Sequence, residues 1–422
     1  MYEPKINVGI MARKELRVTF EGVFRVGAEK FCGSHVIRCD AGKLIWGGVA
    51  YESLLFEPVD DGASFELDDV TIGVGFHWER KECQRFAGAL KVIPDVDAGC
   101  CVAVNVIGVE EYLKSVISSE MSASASQALL RAHAVVSRSW LLRQLADRGK
   151  HTCAEAEEWR STAVGDAVFD ELIKWYDRED HTLFDVCADD HCQRYQGVTR
   201  QTTPAVAEAV DATRGMVLTY GGEVCDARFS KCCGGVSETF ENCWENASHP
   251  YLESVKDCDA AGHCFCDTDD RSVLDTVLNN YDRETLDFFK WEVRYGADDL
   301  SELVRRRSGI DFGRIHDLVP LTRGKSGRIV RLLVKGERRS LIVGKELEIR
   351  RWLSDTHLRS SAFDVTRSAD GDFIFRGRGW GHGVGLCQIG AAVMGASGYG
   401  FREILNHYFP KAGITALYCE KE

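Results

Sequence analysis

Val109-Glu110-Glu111-Tyr112-Leu113-Lys114-Ser115-Val116-Ile117-Ser118-Ser119-Glu120-Met121 decides how the rest of the chain is read. Its apolar residues Val109, Tyr112, Leu113, Val116 and Ile117 recur at i, i+3, i+4, i+7 and i+8, the stripe of a helix with one buried face. At about 100° per residue, Glu120 points within roughly 20° of Val109, so its carboxylate is expected over the apolar seam. Glu110 and Glu111 sit at the helix start, where they complement the dipole and need no further role. Burial against apolar neighbours penalises a charged carboxylate and raises its pKa, which suits a general acid working near neutral pH. The alternative for Glu120 is a helix-end glutamate paired with a basic neighbour.

Working outward, Ser124-Ala125-Ser126-Gln127 reads as a capping box with Ser124 at the N-cap, opening a second helix to about Leu145. Ala128, Ala132, Val135, Val136, Ser139 and Trp140 form its apolar face. Arg131 and Arg138, seven residues apart, project from one side, placed to bracket a polar ligand, neutralise Glu120, or form solvated salt bridges. His133 falls on the opposite flank. Before the helix pair, Ile6–Ile10, Leu16–Phe20, Val36–Arg38 and Lys43–Trp46 read as strands of an antiparallel sheet or small barrel. A second β-rich section begins near Val217 and resumes from Ile329 to Ile349. Leu274 to Arg307, with Leu274, Val277, Leu278, Leu286, Phe288 and Phe289, suggests a helical insertion, and the acidic stretch from Ala154 to Asp180 an exposed elaboration. The expected fold is α+β: β-rich lobes around a central helix pair with a groove. The expected divisions are a β-rich part (1–105), the helix pair (106–148), a Cys/His-rich section (149–270), the helical insertion (271–312) and a β-rich part with a glycine-rich block (313–422).

Composition narrows the function. With 422 residues and 45% apolar side chains, the chain can bury sizeable cores. Its 52 basic residues stand against 65 acidic ones, a net charge of -13 without any long basic block, which argues against a duplex nucleic-acid partner. No run of about 18 apolar residues marks a transmembrane segment, and Met1-Tyr2-Glu3-Pro4 lacks the basic-then-apolar start of a signal peptide. The 17 cysteines are odd in number and too sparse for a disulfide scaffold. His181-x5-Cys187-x4-Cys192 has the residue types and close spacing of a zinc site; a Cys187–Cys192 disulfide is the competing reading. Cys232, Cys233, Cys243, Cys258, His263, Cys264 and Cys266 form a second group, whose spacing fits either a second metal or disulfides.

Val109–Leu113 through Ser118-Ser119-Glu120-Met121, followed by Ala134-Val135-Val136-Ser137-Arg138-Ser139-Trp140, resembles the stage II sporulation protein D (SpoIID/LytB) family. Thr213–Tyr220, ending in Cys233-Gly234-Gly235, is similar to the family's central signature. Gly377-Arg378-Gly379-Trp380-Gly381-His382-Gly383-Val384-Gly385-Leu386-Cys387-Gln388-Ile389-Gly390-Ala391 is similar to its C-terminal signature. Ser326-Gly327-Arg328 and Ser360-Ser361-Ala362-Phe363 lie between them in the expected order, so the resemblance runs from about Ile6 to Tyr408. It implies either a lytic transglycosylase that cleaves peptidoglycan glycan strands or an enhancer of a cell-wall amidase, in both cases in the cell envelope. Glu120 matches the family's catalytic acid and Arg138 a motif arginine, while Arg131 stands where the family has lysine and His133 where it has glutamine. Some members hold zinc with one His and two Cys just before a Gln-x-Tyr element. The match implies His181, Cys187 and Cys192 as ligands, with Gln193 and Tyr195 near the substrate. Arg131, Arg138, His382 and Gln388 are the further sugar-contacting residues implied, although a structural role for His382 fits equally well. Two departures stand out: Ser230-Lys231-Cys232-Cys233 replaces a His-Ser-Thr-Ser type run, and Cys387 replaces the commoner serine.

Overall fold

The computed structural model describes residues 2–73, 79–121, 124–149, 155–176, 181–189, 192–200, 203–278 and 287–419. The architecture is α+β, with 24 strands and eight α-helices among the described residues. Eleven strands form the first sheet, and their pairing path is open, which selects the sheet over the small barrel. Lys5–Arg13 pairs antiparallel with Cys100–Gly108, and Ala89–Asp95 lies on the other side of that strand. Alternating residues such as Leu16, Val18 and Phe20 turn inward, as a half-buried strand requires. Val186–Cys187 joins Lys5–Arg13 in parallel, Gly9 opposite Cys187. Glycine is needed at position 9, because a Cβ there would stand 2.5 Å from the Phe184 ring.

The helix α1 (Val109–Glu120) leaves the sheet directly, and Glu3 caps it by accepting the Glu110 N–H at 3.0 Å. All five stripe residues are fully buried, as the periodicity predicts. Helix α2 (Gln127–Ala146) starts later than the capping-box reading places it. Ser126, in extended conformation, is the N-cap and accepts from the Leu129 N–H, so Ser124 lies ahead of the helix. Buried residues surround α2 on almost every side, His133, Ser137 and Arg138 included.

A second core lies around Leu300, Val304, Phe312, Ile349, Trp352 and Phe375. Its five-stranded sheet runs Glu155–Val164, Ala167–Tyr176, Ser340–Gly344, Ile329–Gly336, Ile315–Arg323. The acidic stretch is mostly exposed, as expected, and forms the edge hairpin of this sheet. Buried Glu171 fixes it there. Burial pushes its carboxyl up, but hydrogen bonds from Arg160, Arg331 and Thr162 prevail and hold it at about 2. The stretch read as a helical insertion contains helices Arg271–Val277 and Ala297–Ser308, but Lys290–Tyr295 between them is a strand paired with Phe373–Arg378. Leu286 lies outside the described residues.

One buried ion pair joins the helices. Arg138 Nε and Nη2 donate to Glu110 Oε1 and Oε2 at 2.9 and 2.6 Å, with the side chains 0% and 1% exposed. Glu110 Oε1 also accepts from the Gly215 N–H and Tyr418 Oη, while Arg138 Nη1 donates to the Met216 carbonyl. Glu110 thus does far more than complement the dipole. Removing one partner leaves an uncompensated buried charge, whereas removing both leaves an apolar gap. Arg138→Met should cost about 3–5 kcal/mol in urea unfolding, and Glu110→Leu/Arg138→Met together clearly less than the sum of the singles. Additive losses would contradict the pairing.

Candidate functional site

Three segments meet where α1 ends. Glu120 is its last residue, half-buried, and its Oε1 accepts the Arg194 backbone N–H at 3.1 Å. Lys231 Nζ reaches the Glu120 carbonyl at 3.5 Å, and the Lys231 carbonyl accepts the Ile389 N–H. Phe229–Ser230 pairs in parallel with Leu386–Cys387, so the central and C-terminal segments arrive at Glu120 as one ribbon. The carboxylate is thus less enclosed than a full continuation of the stripe would make it, because the helix stops there and Met121 turns to extended backbone.

The loop supplying Arg194 also carries the cluster His181, Cys187 and Cys192, whose ligand atoms all lie within 4.8 Å of one another. His181 Nε2 and Cys192 Sγ are 3.5 Å apart. Tetrahedral zinc with Zn–N near 2.05 Å and Zn–S near 2.3 Å needs an N···S edge of about 3.5 Å, so the donors fit that metal. His191 lies outside the described residues. A cavity of 90 Å³ opens beside this loop, bounded by Ile72, Gln84, Asp189 and Arg194. The larger concavity, 920 Å³, belongs to the second lobe, between Trp291, Arg323, Phe363 and Arg376.

Four residues expected to meet substrate are interior instead. Arg138 is spent on Glu110, as described above. Gln193 is buried, donating to the Ser137 carbonyl and accepting from Tyr112 Oη. Tyr195 stacks on Tyr112 at 5.0 Å between ring centroids and donates to Asn105 Oδ1, so it belongs to the core. Gln388 Nε2 lies 3.1 Å from His133 Nε2, also buried. His382 packs edge-on against Trp244 and accepts the Val384 N–H on Nδ1; burial, then Arg228 and Arg328, push its pKa well below the ordinary value. Arg131 and His382 are only partly buried, and Arg131 pairs with Glu208 at 3.3 Å.

The glycine-rich block is shaped by Arg328, a residue whose role sequence reasoning missed. Its buried guanidinium donates to the Cys233 and Gly381 carbonyls, and a Cβ at Gly383, where φ is +78°, would sit 2.5 Å from it. Lys231 was also missed, since only the fold brings it to α1. His133 completes the interior network with Ser137 Oγ at 3.1 Å.

Residues 98–220 match the family model described as Stage II sporulation protein. The chain carries a SpoIID domain. The match covers α1, α2 and the cysteine loop, while residues 238–385 match a model described as a domain of unknown function. The stage II sporulation protein D of Bacillus subtilis (strain 168) is 24% identical over 360 residues, 84% of this chain and 87% of that protein. An uncharacterized protein of Brachyspira hyodysenteriae is 25% identical over 370 residues, 87% of this chain and 78% of the other. The Bacillus subtilis protein named amidase enhancer is 26% identical over 236 residues, 50% of this chain but 32% of that protein. The SpoIID resemblance read from the motifs therefore holds across most of the sequence.

Burial of two histidines, His133 fully and His357 in part, makes the fold acid-sensitive. Burial, then Lys231, bring His133 down to about 3, and burial lowers His357 to about 4. The unfolded chain takes up these protons near the ordinary value of 6.5 while the folded one resists, so stability is full above that pH and falls as pH drops below it. Each such histidine steepens the loss by about 1.4 kcal/mol per pH unit in that window. His133→Gln should reduce the slope of unfolding free energy between about pH 6 and pH 4 by roughly that amount. An unchanged slope would show that His133 already titrates in the folded state.

Proposed function

We propose that the protein is a peptidoglycan lytic transglycosylase with Glu120 as its single acid/base. The observation that carries this reading is the placement of Glu120: at a helix terminus, its carboxylate fixed by the Arg194 N–H, where the cysteine loop and the ribbon of Lys231 and Ile389 converge. Protonated Glu120 gives its proton to the glycosidic oxygen between N-acetylmuramic acid and N-acetylglucosamine. The muramic acid C6 hydroxyl then attacks the oxocarbenium-like C1, and the carboxylate takes that hydroxyl's proton. The C1–O bond breaks, a C1–O6 bond forms, and the product is a 1,6-anhydro sugar. An ordinary glycosidase needs a second carboxylate to activate water or to form a covalent intermediate; an internal nucleophile removes that need. Arg131, its side chain 32% exposed, is the cationic candidate to orient an N-acetyl or lactyl group.

His181, Cys187 and Cys192 would hold a zinc ion, which supplies a rigid cross-link and, at a fourth position, a Lewis-acid centre. The chain's own part is mechanical: the cross-linked loop keeps the Arg194 amide on Glu120. Peptidoglycan as substrate implies an envelope location. No described helix is long and apolar enough to cross a membrane.

A second reading, stimulation of a cell-wall amidase without glycan cleavage, is favoured by the relative named amidase enhancer. The two separate on peptide-free glycan strands. Glu120→Gln should cut formation of 1,6-anhydro ends by about 10²–10⁴-fold, followed by mass spectrometry, while strand binding in sedimentation assays stays near wild type. If the unmodified protein yields no anhydro ends yet accelerates an amidase, the enhancer reading holds.

A further inference from the structure

The two departures from the SpoIID motifs, Cys232-Cys233 and Cys387, are far apart in sequence but adjacent in space. Strand pairing sets Ser230 beside Cys387, and Cys266 enters from the Cys264-Phe265-Cys266 turn. Cys233, Cys266 and Cys387 Sγ and a carboxylate oxygen of Asp257 lie within 4.8 Å of one another, and all four residues are buried. We propose that these four side chains form a second, structural metal site that takes a zinc-class divalent cation, separate from the histidine-containing cluster beside Glu120.

Three observations support this. The spacing suits a tetrahedral ion: Cys233 and Cys266 sulfurs are 3.6 Å apart, and Zn–S bonds near 2.3 Å require an S···S edge of about 3.8 Å. A disulfide would instead draw two sulfurs to about 2.05 Å, and Cys233, Cys266 and Cys387 are not joined by S–S bonds. The sulfurs are also placed as acceptors. Backbone N–H groups of Cys233 and Gly390 point at Cys387 Sγ at 3.2 and 3.4 Å, and that of Gly235 at Cys266 Sγ at 3.3 Å. A neutral thiol is a weak acceptor, whereas a metal-bound thiolate gains from such donors. Finally, the carboxylate is oriented. Tyr408 Oη donates to Asp257 Oδ1 at 2.6 Å and His407 Nε2 lies 3.6 Å from the same oxygen, leaving Oδ2 turned toward Cys233 Sγ at 3.2 Å. On binding, a divalent ion would displace the thiol protons, and three thiolates with one carboxylate around it would leave a net charge comparable to that of an ordinary Cys₄ zinc site. With four protein ligands and no exposed face, the ion would cross-link the central segment, the C-terminal block and the start of the 238–385 unit, and would perform no catalysis.

The test measures zinc in the full chain purified under reducing conditions without chelator. Cys187→Ser/Cys192→Ser removes the other cluster, so this variant should retain about one zinc per chain. It should also, with Co²⁺ in place of Zn²⁺, show the intense thiolate-to-cobalt charge-transfer absorption of a sulfur-rich tetrahedral site. Cys266→Ser/Cys387→Ser should lose about one zinc relative to the unmodified chain. The proposal is overturned if Cys187→Ser/Cys192→Ser, folded by circular dichroism, holds neither zinc nor cobalt. Alkylation mapping that finds Cys266 or Cys387 in a disulfide in the native protein overturns it too. Neither readout depends on glycan cleavage.

Discussion

The pairing of Arg138 with Glu110 is the constraint on which the rest of the molecule depends. In an interior without water, each N–H of a guanidinium and each carboxylate lone pair must find a partner, and here they come from α1, α2, the Gly215-Met216 turn and Tyr418. Moving either helix would orphan a charge. Glu120 stands ten residues further along α1, about 15 Å at 1.5 Å per residue, so locking the start of the helix also fixes where the acid emerges. The Arg194 amide then fixes the carboxylate itself.

This changes how the SpoIID motifs are understood. Arg138, Gln193, Tyr195 and Gln388 look like a sugar-binding set when written as a line of polar residues, yet each is turned inward to satisfy a neighbour. They act on the site through position: Tyr195 and Gln193 brace the loop carrying Arg194, and Gln388 braces His133 against the ribbon that bears Lys231. A metal held by His181, Cys187 and Cys192, as proposed, would follow the same logic and stiffen that loop from the other side.

Much of this was legible in the sequence because it depends on local periodicity or on close spacing. The stripe of α1, the N-terminal strands and the grouping of His181, Cys187 and Cys192 all arise within a dozen residues. What escaped depends on partners that lie on other elements, from 28 to 308 residues apart. Nothing near Glu110 announces Arg138 or Tyr418, so its burial could not be foreseen from a first-turn position. The hairpin 155–176 is largely solvated, as its acidic residues suggest, but nothing near Glu171 announces its burial or the distant Arg331 that neutralises it. The N-cap misplacement has a shorter-range cause: Ser124 and Ser126 both offer a hydroxyl, and only the backbone path out of α1 decides which one meets an orphan amide.

The two cores are interleaved along the chain. The first is built from residues before 146, between 186 and 289, and beyond 380; the second takes Leu172 and then Trp291 to Phe375. Neither lobe is a contiguous stretch, and Tyr418, a partner of Glu110, is among the last described residues. During vectorial synthesis on the ribosome, Glu110 therefore meets its charge partner Arg138 early but its Tyr418 donor only 308 residues further along the chain. In that interval the incomplete chain leaves part of the first core's apolar sheet surface uncovered, the condition in which nascent chains are prone to aggregate.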